Sequence, residues 1–155
     1  LWGECYSIQE TTYLSRCSGV TDCDDPPLGG TIPNQITELI NLEYLYIGGN
    51  NFTGTLPANF QNLTNLKNLD VSRNLLTGEI PEFLWSLEID FYIYENNFSG
   101  TIPEQVCDDY GDEDFYEKWA YSSIIDNALC PPYPSCFTQN DIEEIIGNQN
   151  QTNCP

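Results

Sequence analysis

Apolar residues in the middle of the chain fall at fixed intervals. Leu42, Leu45, Ile47 and Phe52 recur as Leu66, Leu69, Val71 and Leu76. A third copy reads Phe91, Ile93 and Phe98, and a worn fourth reads Ile124 and Leu129. The alternation Leu45-x-Ile47 predicts one short strand per copy, with the intervening side chains on the opposite face. The copies are punctuated by one tetrapeptide pattern: Gly30-Thr31-Ile32-Pro33, Gly54-Thr55-Leu56-Pro57, Gly78-Glu79-Ile80-Pro81 and Gly100-Thr101-Ile102-Pro103. The spacings are 24, 24 and 22 residues, because the third copy lacks two residues between Leu87 and Phe91. A period in this range predicts a solenoid, in which each repeat buries its apolar edge against the next. Such a molecule offers a long open surface suited to binding or assembly.

The polar positions are as regular as the apolar ones. Asn50, Asn74, Asn96 and Asn127 follow each strand at one register. Their amides are expected to point inward and satisfy backbone groups where the chain leaves the strand, since a buried turn otherwise leaves those groups unpaired at a cost. Gly54 and its equivalents permit the next bend. Pro57 and its equivalents fix φ and donate no hydrogen bond, which suits a segment outside the sheet. The segments 34–39 and 58–63 are expected to be short helical turns on the outer side.

The full pattern is L-x-x-L-x-L-x-x-N-x-L-x-G-x-I-P, and the chain resembles a secreted leucine-rich repeat protein. The Gly-x-Ile-Pro ending resembles the plant-type extracellular subclass, whose repeat also occurs in secreted bacterial and algal proteins. The match runs from Leu28 to Leu129. The resemblance implies an α/β solenoid: a short right-handed superhelix with a parallel concave sheet and disulfide-stapled N- and C-terminal caps. The 155 residues are read as one domain, with residues 1–29 as N-terminal cap, 30–103 as repeats and 104–155 as C-terminal cap.

In the first cap, residues 11–14 are a candidate edge strand, and residues 21–27 are an acidic loop broken by proline. In the second, residues 115–121 are expected to be helical and residues 122–125 to form the last strand. Residues 131–134, Pro-Pro-Tyr-Pro, stop it. A final helix is expected to open with Asn140 as N-cap and Glu143 three residues on, and to end at Gly147.

Seven cysteines lie towards the ends and none in the central repeats. That is the expected way for a secreted solenoid to staple ends that lack a neighbour, and it points to an oxidising compartment. Cys17 and Cys23 can close a small loop. At the other end, Cys107 with Cys130 and Cys136 with Cys154 is the preferred pairing, with other connectivities left open. An odd number leaves one over. The run Trp2-Gly3-x-Cys5 resembles the second half of the plant-type N-cap, in which another cysteine precedes the Trp. The resemblance therefore singles out Cys5 as free, paired between chains, or paired to a removed upstream segment. A zinc site is disfavoured, because the chain has no His and no paired C-x-x-C knuckles.

Twenty-four acidic residues against four basic ones give a net charge of −20. Nucleic acid and anionic membranes would be repelled. No run of about 18 apolar residues is present to insert in a bilayer. No signal peptide is evident, so the sequence reads as a mature, extracellular form. The acidity serves solubility or attracts a cationic partner. The acidic run gives weak calcium candidates at Asp108, Asp109, Asp112 and Asp114, without the spacing of a calcium loop. Sequons place N-glycosylation candidates at Asn51, Asn62, Asn97 and Asn150.

Without His, the usual general base and triads are absent, and the cysteines read as structural, so the chain is read as non-catalytic and cofactor-free. Its candidate chemistry is the row of side chains facing out of the concave sheet. One row crosses as Tyr46, Asp70, Tyr92 and Ser123, the next as Gly48, Ser72, Tyr94 and Ile125, flanked by Gly49, Arg73, Glu95 and Asp126. Tyr44 adds another ring. Residues Tyr44, Tyr46, Asp70, Arg73, Tyr92, Tyr94 and Glu95 are the candidate binding set, since rings and carboxylates together suit a protein or glycan ligand. The alternative is a structural subunit that binds copies of itself in an extracellular filament or surface layer.

Overall fold

The computed structural model describes residues 1–16, 27–86, 89–108 and 124–155. Within these, each repeat contributes two strands rather than one. The first sheet holds β1 (Tyr13–Ser15), β3 (Tyr44–Tyr46), β5 (Asn68–Asp70) and β7 (Asp90–Tyr92), parallel and side by side in that order. Leu14, Leu45, Leu69 and Phe91 stand in one register across it, and all four are buried. The expected edge strand of the first cap is thus present as β1.

The second sheet was not expected from the sequence. It contains β2 (Gly29–Thr31), β4 (Asn51–Gly54), β6 (Leu75–Glu79), β8 (Asn97–Gly100) and β9 (Ala128–Leu129), again all parallel. Its strands alternate too: Phe52, Leu76 and Phe98 are fully buried, while Asn51, Thr53, Leu75, Asn97 and Ser99 face water. The glycines that close β4 and β8, together with Gly78 inside β6, take φ of +78°, +90° and +84°, which a side chain disfavours. Pro33, Pro57 and Pro103 then stand just before the outer turns, which are 3₁₀ helices over Asn34–Glu38, Ala58–Asn62 and Glu104–Cys107. The third repeat makes its outer turn as α1 (Glu82–Ser86).

Between the sheets and turns runs the asparagine ladder. Each amide bridges two coils. Asn74 Nδ2 donates to the carbonyls of Ile47, Val71 and Ser72, each at 3.0 Å, and its Oδ1 accepts from Phe52 N in the preceding coil at 3.0 Å. Asn50, Asn96 and Asn127 repeat this arrangement, accepting from Leu28 N, Leu76 N and Phe98 N. The ladder has a further rung that the sequence reading missed. Gln149 donates to the carbonyls of Ile124 and Ile146 and accepts from Leu129 N. Ile146 lies three residues before it, as Ile47 does before Asn50, so the second cap ends the stack with one more coil.

The C-terminal cap corrects two sequence expectations. The disulfides are Cys107–Cys136 and Cys130–Cys154, not Cys107–Cys130 and Cys136–Cys154. The chain returns beside its last strand, with Asn150 N bonded to Asn127 O, and so delivers Cys154 to Cys130. The carboxylate of Glu104 meanwhile holds the amide and hydroxyl of Ser135 and brings Cys136 to Cys107. The second correction is the helix start. The N-cap is Thr138, not Asn140, and α2 (Gln139–Asp141) continues as a π-helical turn over Ile142–Ile146. Thr138 and Asp141 form a reciprocal capping box, and the buried Asp141 carboxylate accepts from Thr138 N and Oγ1 at 2.7 Å. Gly147 ends the helix with φ +57°. Cys17, Cys23, the acidic loop at 21–26 and the expected helix over 115–121 lie outside the described residues. So do two of the four positions of the expected strand at 122–125; the described pair, Ile124 and Ile125, is not in a strand.

Candidate functional site

Strand alternation positions the site. With Leu45, Leu69 and Phe91 inward, their neighbours must face out. One row runs Tyr13, Tyr44, Asn68, Asp90, and the next runs Ser15, Tyr46, Asp70, Tyr92. Tyr44, Tyr46, Asp70 and Tyr92 are therefore brought together as the sequence pattern implied. The sequence reading missed Tyr13 and Asp90. Tyr13 precedes Leu14 as Tyr44 precedes Leu45, and that alignment of the cap with the repeats was the signal. The ring of Tyr13 lies 5.6 Å from that of Tyr46 and 6.3 Å from that of Tyr44, so three rings cluster at the first edge of the sheet.

Asp70 is the fixed centre of the inner row. Its Oδ1 accepts from the amide and hydroxyl of Ser72 at 2.9 and 2.6 Å. Gly48 makes room for it: a Cβ there would lie 2.8 Å from Asp70 Oδ1. No hydrogen bond reaches Oδ2 among the described residues. Partial burial raises the pKa of Tyr46 above its ordinary value, helped by Tyr13, Tyr44, Asp70 and Asp90 around it. The phenol thus stays protonated and the neighbourhood is electronegative.

Arg73, Tyr94 and Glu95 form a second group, where the chain leaves the strands. Arg73 and Glu95 both hold φ of +52°, one residue before a ladder Asn, as Gly49 and Asp126 also adopt positive φ. The Arg73 guanidinium meets Glu95 at 3.3 Å and lies 5.4 Å from the centre of the Tyr94 ring. The hydrogen bond to Glu95 raises its pKa further. Lys67 is likewise engaged, at 2.6 Å from Glu43.

The remaining candidates lie elsewhere. Asn51 and Asn97 open β4 and β8 on the second sheet and are exposed, as are Asn62 and Asn150. Cys5 carries a free, exposed thiol. Asp108 is exposed, whereas Asp109, Asp112 and Asp114 fall outside the described residues. Among the described residues no three His, Cys, Asp or Glu side chains are grouped to hold a metal ion, and no helix is long and apolar enough to cross a membrane.

Comparison with known proteins fits this geometry. A leucine rich repeat family model matches residues 38–89. The ectodomain of BIR2 from Arabidopsis thaliana is 26% identical over 82% of this chain and 65% of that one, with a TM-score of 0.60. The plant peptide hormone receptor RGFR1, solved in complex with RGF2, is 28% identical over 74% of this chain and 18% of its own, with a TM-score of 0.56. The Arabidopsis receptor kinase HAESA, solved with the peptide hormone IDA and the co-receptor SERK1, has a TM-score of 0.63 over 91% of this chain and 22% of its own; at 22% identity it shares the fold alone. The chain thus spans only a small part of the two receptors. No curated protein matches it. The fold and its face define a solenoid of the leucine-rich repeat class. The chain has the leucine-rich repeat fold, and it is similar to the ectodomains of plant receptors.

Proposed function

We propose that this chain is an extracellular, non-catalytic binding module that receives a protein or peptide segment on its concave sheet. The observation that carries the reading is the outward row Tyr46, Asp70 and Tyr92, held in register by three adjacent strands and widened by Tyr44 and Tyr13. Rings on a rigid sheet supply apolar contact area with little conformational entropy to lose, and their hydroxyls supply polar tips. The similarity to RGFR1, which is seen with the peptide RGF2, supports a peptide over a glycan. A random peptide library panned on the immobilised chain tests this. Selected peptides are expected to lose about tenfold or more in affinity for a Tyr46→Ala/Tyr92→Ala variant whose melting temperature is unchanged. Unchanged affinity removes the concave sheet from the reading.

A second reading has its own observation, the exposed free thiol of Cys5. It would let copies of the chain join covalently. Non-reducing electrophoresis at rising concentration would show a ladder that collapses on reduction and is missing in Cys5→Ser. Monomers throughout reject it.

A further inference from the structure

We propose that Asp70, set between Tyr46 and Tyr92, receives the cationic side chain of a lysine or arginine from the bound protein segment. The inference rests on the concave-face reading and gives the partner's chemistry.

Four observations converge on it. First, Asp70 is preorganised. Ser72 fixes one carboxylate oxygen through both its amide and its hydroxyl, and the other oxygen has no hydrogen bond among the described residues. A carboxylate held this way loses little freedom when a donor arrives, and a charge-assisted bond is the strong kind. Second, the strand register puts a tyrosine on each side of Asp70, one strand spacing away, about 4.8 Å. Aromatic walls beside a carboxylate favour a cation, whose charge is attracted to the ring faces. Third, among the described residues the two cations that follow or flank this strand row, Arg73 and Lys67, are engaged with other groups. Arg73 is turned onto Glu95 and Tyr94, and Lys67 onto Glu43. Fourth, Gly48 lets the Asp70 carboxylate lie where a side chain would otherwise stand, since a Cβ there would be 2.8 Å from Asp70 Oδ1. A net charge of −20 steers a basic segment towards the molecule, and Asp90 adds local negative charge in the neighbouring row.

The neutral phenol of Tyr46 supports the same picture, because it leaves Asp70 and Asp90 as the charges of the face.

The test uses peptides selected from the random library on the full chain. Each basic residue of a selected peptide is replaced by the uncharged isostere, citrulline for arginine and norleucine for lysine. In parallel, the chain carries Asp70→Asn, which keeps an acceptor for Ser72 and the shape of the site. The control is Glu38→Gln, on an outer turn, which removes the same unit of charge. One basic residue is expected to matter by about tenfold or more, Asp70→Asn to cost the same, and the two changes together to cost no more than either alone. Glu38→Gln is expected to leave affinity unchanged. Selected peptides that bind Asp70→Asn as well as wild type, yet lose affinity for Tyr46→Ala/Tyr92→Ala, overturn this inference and leave the concave-face reading standing. Peptides indifferent to both sets of variants overturn both. Equal losses for Asp70→Asn and Glu38→Gln reduce the effect to overall charge and also overturn the inference.

Discussion

Asn74 shows how much one side chain does in this fold. It is buried, it joins three carbonyls and it serves one amide of the preceding coil. Truncation leaves those groups without partners in a dry interior, which costs far more than the net worth of a bond exchanged with water. Asn74→Ala is therefore expected to lower unfolding free energy by about 3 kcal/mol or more, read by urea denaturation. Its role was legible beforehand, because an Asn at constant register after an apolar alternation has only one use in a stack of coils. Gln149 was not legible. It is a different residue type, and the segment before it is a helix rather than a strand, so only the Ile146 spacing betrayed it. Tyr13 escaped for a related reason: the cap strand was read as an edge and not aligned with the repeats.

Short elements here are held by their ends. The C-terminal helix starts at a capping box, and its Asp141 is buried with both Thr138 donors on it. Thr138→Ala removes a hydroxyl that both accepts from and donates to Asp141, so a loss of about 1 kcal/mol is expected in thermal or urea unfolding. The sequence carried this signal as Thr138-x-x-Asp141, in competition with Asn140-x-x-Glu143. What decides is burial: only the first pair places its acid where the amides need it. The second sheet was hidden differently. Residues 51–54 end in a glycine that marks a bend, and the pattern predicts one strand per copy, at Leu45-x-Ile47, with no element assigned to Asn-Phe-Thr. The alternation of Phe52 between two polar neighbours was the overlooked trace. On the outer side, Glu104 clips Ser135, and those hydrogen bonds lower its pKa. A lowered carboxylate contributes stability that is present above its ordinary pKa and is lost as pH falls through the folded value. Glu104→Gln is thus expected to flatten the acid limb of the stability profile without changing the plateau shape near neutrality, measured by melting from pH 7 to pH 3.

At the scale of the whole molecule, the repeats are legible from period alone, and the ends are not. Which cysteines meet depends on where the chain returns after β9, and no local pattern records that. The Cys130–Cys154 bridge closes 24 residues over the last coil. Replacing both with serine is expected to cost about 3 kcal/mol by the loop-entropy relation, seen as a lower urea midpoint. The face between the ends was readable in outline, since strand alternation fixes which side chains look outward, but the pairing of Asp70 with Ser72 and the space over Gly48 needed coordinates. One property of the ladder has a directional result. Every rung's oxygen reaches back to the coil before it and never forward to the coil after. A broken rung therefore harms its upstream neighbour: in Asn74→Ala, deuterium uptake is expected to accelerate at the Phe52 amide while the Leu76 amide, still held by Asn96, keeps its protection. The direct damage of a lost rung is thus expected one coil nearer the amino end.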